Sequence, residues 1–122
     1  GGLKELIRRS KDNLNIIKDW VSSSTWVDFL CEDLNNLSNT SICLKLIDPK
    51  LISQSLETKN IIEKNIIKLL EENNVAFDIG SYRSAPPGLR IWGGPTVEND
   101  DIKKLLPWLD WAYHKSLSDL DI

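Results

Sequence analysis

Between Ser81 and Asp101 the chain reads SYRSAPPGLRIWGGPTVENDD, a stretch holding three of its five prolines and three of its six glycines. Pro87-Gly88 suits the two central positions of a type II turn, proline presetting the first φ and glycine accepting a positive second one. Ala85, standing before Pro86, is driven towards an extended conformation, so the approach to the turn is stiff. Leu89-Arg90-Ile91-Trp92 then reads as a short strand. Alternation puts Leu89 and Ile91 on one face and Arg90 and Trp92 on the other. Gly93-Gly94-Pro95 halts the strand, and Glu98, Asp100 and Asp101 open a helix, where carboxylates suit the dipole. A stiff turn feeding a strand of known phase aims a guanidinium in one direction. Two-pronged recognition of a planar anion requires that fixed direction.

Outward from this stretch, helices and short strands alternate. Leu3, Leu6, Ile7, Leu14, Ile17, Trp20 and Val21 recur at helical spacing and predict an amphipathic helix over 2–22. Ser22-Ser23-Ser24 ends it, and 26–30 reads as a strand with Trp26 and Phe29 in apolar surroundings. Residues 31–40 are polar and turn-rich. In 41–47, Ile42, Leu44 and Leu46 alternate with Cys43 and Lys45, the clearest strand of the chain, and Asp48-Pro49 terminates it. A second helix is predicted over 57–72, with Ile62, Ile66, Leu69 and Leu70 inward, Ile61 and Ile67 at its edges, and Asn73-Asn74 as a left-handed stop. Residues 75–79 form another short strand. The last helix runs from about 99 to 116, with Ile102, Leu105, Leu106, Leu109, Ala112 and Tyr113 in its stripe. Pro107 inside it predicts a kink near Lys103–Leu106, not a break. Trp108 and Trp111 fall off the stripe, and the tail from Ser118 is expected to fray. The order α-β-β-α-β-β-α implies an α+β two-layer sandwich, a small, mostly antiparallel sheet with helices on one side.

At 122 residues the chain suffices for one compact domain that buries roughly two-thirds of its surface. A net charge of -3 and scattered basic residues argue against nucleic acid as a partner, which needs a concentrated positive face. No run approaches the roughly 18 apolar residues of a membrane span. Cys31 and Cys43 lack CxxC or Cys/His spacing and read as two reduced thiols of a cytoplasmic protein, with no metal site. His114 has no evident partner and reads as helix surface.

Tyr82-Arg83-Ser84-Ala85-Pro86-Pro87-Gly88-Leu89-Arg90-Ile91-Trp92, with Thr96-Val97-Glu98 and Leu106-Pro107-Trp108-Leu109-Asp110-Trp111, closely resembles the C-terminal region of phosphoserine aminotransferases. The branch it resembles carries its last arginine after a Pro-Pro-Gly turn. The resemblance extends back through Phe77-Asp78-Ile79-Gly80 and Ser41-Ile42-Cys43-Leu44-Lys45 to Gly1-Gly2-Leu3-Lys4. Gly93 and Pro95 depart from it, at the end of a strand.

The resemblance implies a small C-terminal domain at 25–122, joined by a connecting helix at 1–24 to a large domain that precedes it. The implied enzyme is a homodimer in serine biosynthesis. It converts 3-phosphohydroxypyruvate and glutamate to phosphoserine and 2-oxoglutarate with pyridoxal phosphate. The Schiff-base lysine and the cofactor's other partners then lie in the large domain, so this chain alone holds neither catalytic nor cofactor-binding residues and is inactive in isolation. Its implied part is substrate binding. Arg90 matches the arginine for the α-carboxylate of phosphoserine or glutamate. Arg83 matches a phosphate contact, although its spacing to Arg90 is one residue longer than where the turn lacks Pro-Pro. Tyr82 stands where those relatives place a histidine. Trp92 could pack beside the Arg90 guanidinium or belong to the core. Two readings from other classes remain open: a free-standing α+β regulatory module that binds small anions through Arg83 and Arg90, and an interaction domain built on Trp108 and Trp111.

Overall fold

The computed structural model describes residues 2–30, 41–75, 79–81, 85–92 and 97–122. Its elements in chain order are α1 (Gly2–Ser23), β1 (Val27–Phe29), β2 (Ser41–Leu46), a 3₁₀ turn (Pro49–Leu51), α2 (Leu56–Glu72), β3 (Gly88–Trp92) and α3 (Asn99–Asp119). The three strands form an antiparallel sheet in the order β1-β2-β3. Of the strand predicted over 75–79, residues 76–78 lie outside those described. Beyond them, Gly80 bridges Leu89, and the Arg90 N–H donates to the Ile79 carbonyl at 2.7 Å, so the chain returns along the free edge of β3.

Register explains which face of the sheet is apolar. Phe29 lies opposite Leu44, Leu44 opposite Leu89, and Ile42 opposite Ile91. All five are buried, as is Val27. The intervening residues Asp28, Cys43, Lys45, Arg90 and Trp92 occupy the other face, and none of them is buried. One strand period thus separates core from site face, as the alternation around Arg90 predicts.

The helices supply the second layer. In α2, Ile62, Ile66, Leu69 and Leu70 are buried, and the Ser55 hydroxyl caps the N-terminus by accepting from the Thr58 N–H at 3.1 Å. In α3, Ile102, Leu106, Leu109, Ala112, Tyr113 and Leu117 join the same core. The helix continues through Pro107 without a break. In α1 only the later half is buried, through Leu14, Ile17 and Val21, whereas Leu3 is 72% exposed and Leu6 and Ile7 are also exposed.

Both α2 and α3 end in the same motif. Asn74 (φ 55°) and Asp121 (φ 57°) take the left-handed conformation. The N–H groups of Val75 and Ile122 then reach back to the carbonyls of Leu70 and Leu117, both at 2.9 Å. Val75 and Ile122 pack against the core. Asn74 is therefore the left-handed stop its sequence suggests. The end of the chain, expected to fray, is instead tied down, because Ile122 has both a backbone acceptor and an apolar seat.

A carboxylate joins α1, β1 and α3. Asp110 accepts from the indole N–H of Trp20 at 3.0 Å on one oxygen and from that of Trp26 at 2.8 Å on the other. Trp26 stacks on Tyr113 with ring centroids 4.1 Å apart, and the Tyr113 hydroxyl donates to Asp48 at 2.7 Å. Burial first, and then the Asp48 carboxylate, push the Tyr113 phenol far above its ordinary pKa.

Candidate functional site

Arg90 lies in the middle of β3 with its backbone held on both sides. Cys43 of β2 is its cross-strand partner, and the Ile79 carbonyl takes its N–H on the opposite edge. Its side chain is half-buried on the sheet face turned away from the helices. Trp92, two residues on, shares that face and is 58% exposed, so it is not a core residue. Lys45 stands on the same face, paired in register with Asp28. Arg83 and Tyr82 lie outside the described residues, so of the three expected binding residues only Arg90 is placed.

Gly88, which opens β3, corrects the turn expected from the sequence. Among the described residues no glycine has a positive φ, so Gly88 is not the left-handed corner of a type II turn. Its need for glycine comes from close approach. A Cβ there would overlap the Leu44 carbonyl oxygen and lie 2.9 Å from the Leu44 carbonyl carbon and 3.1 Å from the Lys45 Cα. These are backbone atoms of a paired strand and have little room to give.

The outer edge of β3 shows a residue that sequence reasoning missed. Glu63 of α2 accepts through one carboxylate oxygen from the Ser81 hydroxyl at 2.6 Å and from the Gly88 N–H at 2.8 Å. The outward N–H groups of residues 88 and 90 thus have a carboxylate and a carbonyl as acceptors. Glu63 takes the place of a ladder carbonyl opposite the Gly88 N–H. The available sequence signal was weak: Glu63 borders Ile62 and lies one turn before Ile66 and Ile67, at the margin of the apolar stripe.

Other hollows suit a small anion less well. One of about 240 Å³ lies between α1 and the start of α3, but Glu5, Asp12, Glu98 and Asp100 outnumber Arg8 and Arg9 in its lining. Another, of about 460 Å³, is lined by Asn73, Lys104, Pro107, Trp108 and Trp111, the two indoles meeting edge to face at 5.4 Å. Trp108 and Trp111 are 39% and 40% exposed, in line with their position off the stripe. His114 is exposed and Cys43 is a free thiol. Among the described residues, no three metal-ligating side chains gather, and no helix is long and apolar enough to cross a membrane.

No protein-family model matches the chain. The phosphoserine aminotransferase of Methanosarcina barkeri is 47% identical over 116 residues, covering 93% of this chain and 28% of that protein. That of Methanosarcina mazei is 44% identical over 113 residues, with the same 93% and 28% coverage. Among solved structures, phosphoserine aminotransferase from Bacillus circulans subsp. alkalophilus aligns with a TM-score of 0.65 at 20% identity, over 88% of this chain and 26% of that one. At that identity the likeness speaks for the α+β fold alone. The chain spans little more than a quarter of the length of the relatives it matches.

Two hollows that contain a lysine do not fit pyridoxal phosphate. A Schiff-base lysine needs a carboxylate for the ring nitrogen and donors for the phosphate around it. Lys104 has no carboxylate in its hollow, and Lys18 lies in an open groove with Asp19 and Asp28. Neither hollow contains an arginine or a helix N-terminus to take a phosphate.

Proposed function

We propose, on the premise that this chain is a segment of a phosphoserine aminotransferase, that it supplies the substrate-binding arginines of that enzyme. The observation that carries this reading is the footing of Arg90. The residue lies on the open face of the sheet, its strand paired in register with β2 on one side and its own N–H bonded to the Ile79 carbonyl on the other. A guanidinium on so fixed a base can meet the α-carboxylate of phosphoserine or glutamate through two parallel N–H···O bonds. Each charge-assisted bond contributes about 1.5–3 kcal/mol. Arg83 takes the substrate phosphate in the same reading, with the Tyr82 hydroxyl as a further donor.

Pyridoxal phosphate, held by parts of the enzyme outside this chain, supplies the electron sink for transamination between glutamate and 3-phosphohydroxypyruvate. This chain's own work is to bind and orient. Residues 1–24 act as the connecting helix and 25–122 as the small domain of a cytoplasmic homodimer. Exposure of Leu3, Leu6 and Ile7 on the first turns of α1, beside a half-length that is buried, supports that division. A self-sufficient anion-binding module would have Leu3, Leu6, Trp108 and Trp111 covered, and all four are exposed.

The test uses the complete enzyme. Arg90→Lys should weaken phosphoserine and glutamate alike, because both carry the α-carboxylate and lysine loses the forked geometry; about tenfold in KM corresponds to one lost bond of about 1.4 kcal/mol. Arg83→Ala should harm phosphoserine far more than glutamate. An Arg90→Lys enzyme with unchanged KM for both substrates would defeat the reading, and equal losses in the Arg83 variant would remove its phosphate role.

A further inference from the structure

We propose that Glu63 is a positioning residue for Arg90, setting the strand from which the guanidinium meets its carboxylate ligand. The inference rests on the proposed role of Arg90 and extends it to a residue on a different element. Gly88 begins β3 two residues before Arg90, and its N–H is the donor that Glu63 takes at 2.8 Å. The same oxygen takes the Ser81 hydroxyl at 2.6 Å. Ser81 follows Ile79 and Gly80, which pair with Arg90 and Leu89. One carboxylate oxygen of α2 therefore clasps both the start of the arginine's strand and Ser81 of the segment laid along it. The space around this clasp is tight: a Cβ on Gly80 would come within 2.8 Å of the Ile67 side chain and 3.7 Å of the other Glu63 oxygen. On the far side of β3, Gly88 has no clearance from Leu44. The start of β3 is thus confined between β2 and Glu63, and without Glu63 the Gly88 N–H loses its outer acceptor, leaving the Gly80 and Ile79 contacts further along as the outer hold. Displacements well under 1 Å degrade a bidentate ion pair, and about 1 Å costs up to a hundredfold where geometry decides.

The experiment compares Glu63→Ala, Glu63→Gln and Arg90→Lys in the complete aminotransferase, measuring KM for glutamate, kcat per titrated active site and the melting temperature. Glu63→Ala should raise KM about tenfold with kcat changed less than about twofold, as expected for a misplaced binding group. Glu63→Gln should stay within about threefold of the parent, because its amide oxygen still accepts from both donors. Should Glu63→Ala not accumulate folded, Glu63→Asp carries the same expectation, since it keeps the charge but withdraws the carboxylate by roughly one bond, ~1.5 Å. A role in stability alone would lower the melting temperature and the titrated fraction and leave KM where it was; that result overturns the inference. If Arg90→Lys raises KM and Glu63→Ala does not, this inference fails and the role of Arg90 stands. If Arg90→Lys leaves KM unchanged, the role of Arg90 has failed and the inference falls with it.

Discussion

Replacing Asp110 should cost this fold about 3 kcal/mol, a figure that follows from its two partners. Its oxygens accept from the indole N–H groups of Trp20 at 3.0 Å and Trp26 at 2.8 Å. Asp110 and Trp20 are half-buried, so in Asp110→Ala water can reach the Trp20 N–H, and that bond counts at the low end of the range for charged acceptors, about 1.5 kcal/mol. Trp26 is only 2% exposed, and its orphaned N–H costs about 1–3 kcal/mol. The sum is about 3 kcal/mol, a large part of the roughly 5–15 kcal/mol that holds a domain together. Asp110→Asn keeps one acceptor and turns a donor towards the other indole, so it should cost about half as much. Urea unfolding of the 122-residue chain, followed by tryptophan fluorescence and by helical circular dichroism, gives both values. At this size 1 kcal/mol corresponds to about 4 °C, so Asp110→Ala should melt about 10 °C lower. An Asp110→Ala protein within about 0.5 kcal/mol of the parent, at unchanged m, would refute the claim that the clasp joins α1 and β1 to α3.

Gly88→Ala should destabilise by about 2–4 kcal/mol, because the new Cβ meets the backbone of Leu44 and Lys45, which cannot yield as a flexible side chain would. A melting temperature within about 2 °C of the parent would show that β2 and β3 separate more easily than their register implies. Tyr113 gives a pH dependence of definite sign. Its folded pKa lies far above the ordinary value of about 10, so above pH ~10 the unfolded chain releases a proton that the folded chain retains. Stability should be flat with respect to this group below pH ~10 and fall by about 1.4 kcal/mol per unit above it. In a Tyr82→Phe variant, which leaves Tyr113 as the sole tyrosine, phenolate absorbance should rise only as helical dichroism is lost. Phenolate formation in a still-folded chain would contradict the burial of that hydroxyl.

What was legible in the chain depended on whether its cause was local. The span of α2 and its inward residues could be read because a 3.6-residue period places Ile62, Ile66, Leu69 and Leu70 on one side whatever they pack against. The phase of β3 followed likewise from alternation, so Arg90 could be assigned to the open face before any fold was seen. Pro87-Gly88 was legible as a place where only glycine would serve, but not for which reason. A dipeptide signals a turn through its own dihedrals, whereas the constraint on Gly88 comes from a strand some forty residues earlier. The fixed tail escaped notice for a related cause. Aspartate visits the left-handed region only occasionally, a weaker signal than glycine, and what holds Asp121 there is the bond from Ile122 back to Leu117.

Asp48, Glu63 and Asp110 make the same point about charge. Each accepts from two neutral donors: Lys50 N–H and Tyr113 hydroxyl, Ser81 hydroxyl and Gly88 N–H, and the indoles of Trp20 and Trp26. In sequence all three look like ordinary solvated carboxylates, since their main partners lie from 18 to 90 residues away. The ion pairs that a helical pattern does suggest, Glu5 with Arg8, Lys68 with Glu72 and Lys115 with Asp119, are exposed, and pairs of that kind add little to stability. The acids that shape this domain are therefore those that bind dipoles between elements, where acceptor and donor are fixed at short range and salt has little to screen. For the arginine strand the consequence is direct. Glu63 anchors β3 by taking the Gly88 N–H, a dipole of the strand's own backbone.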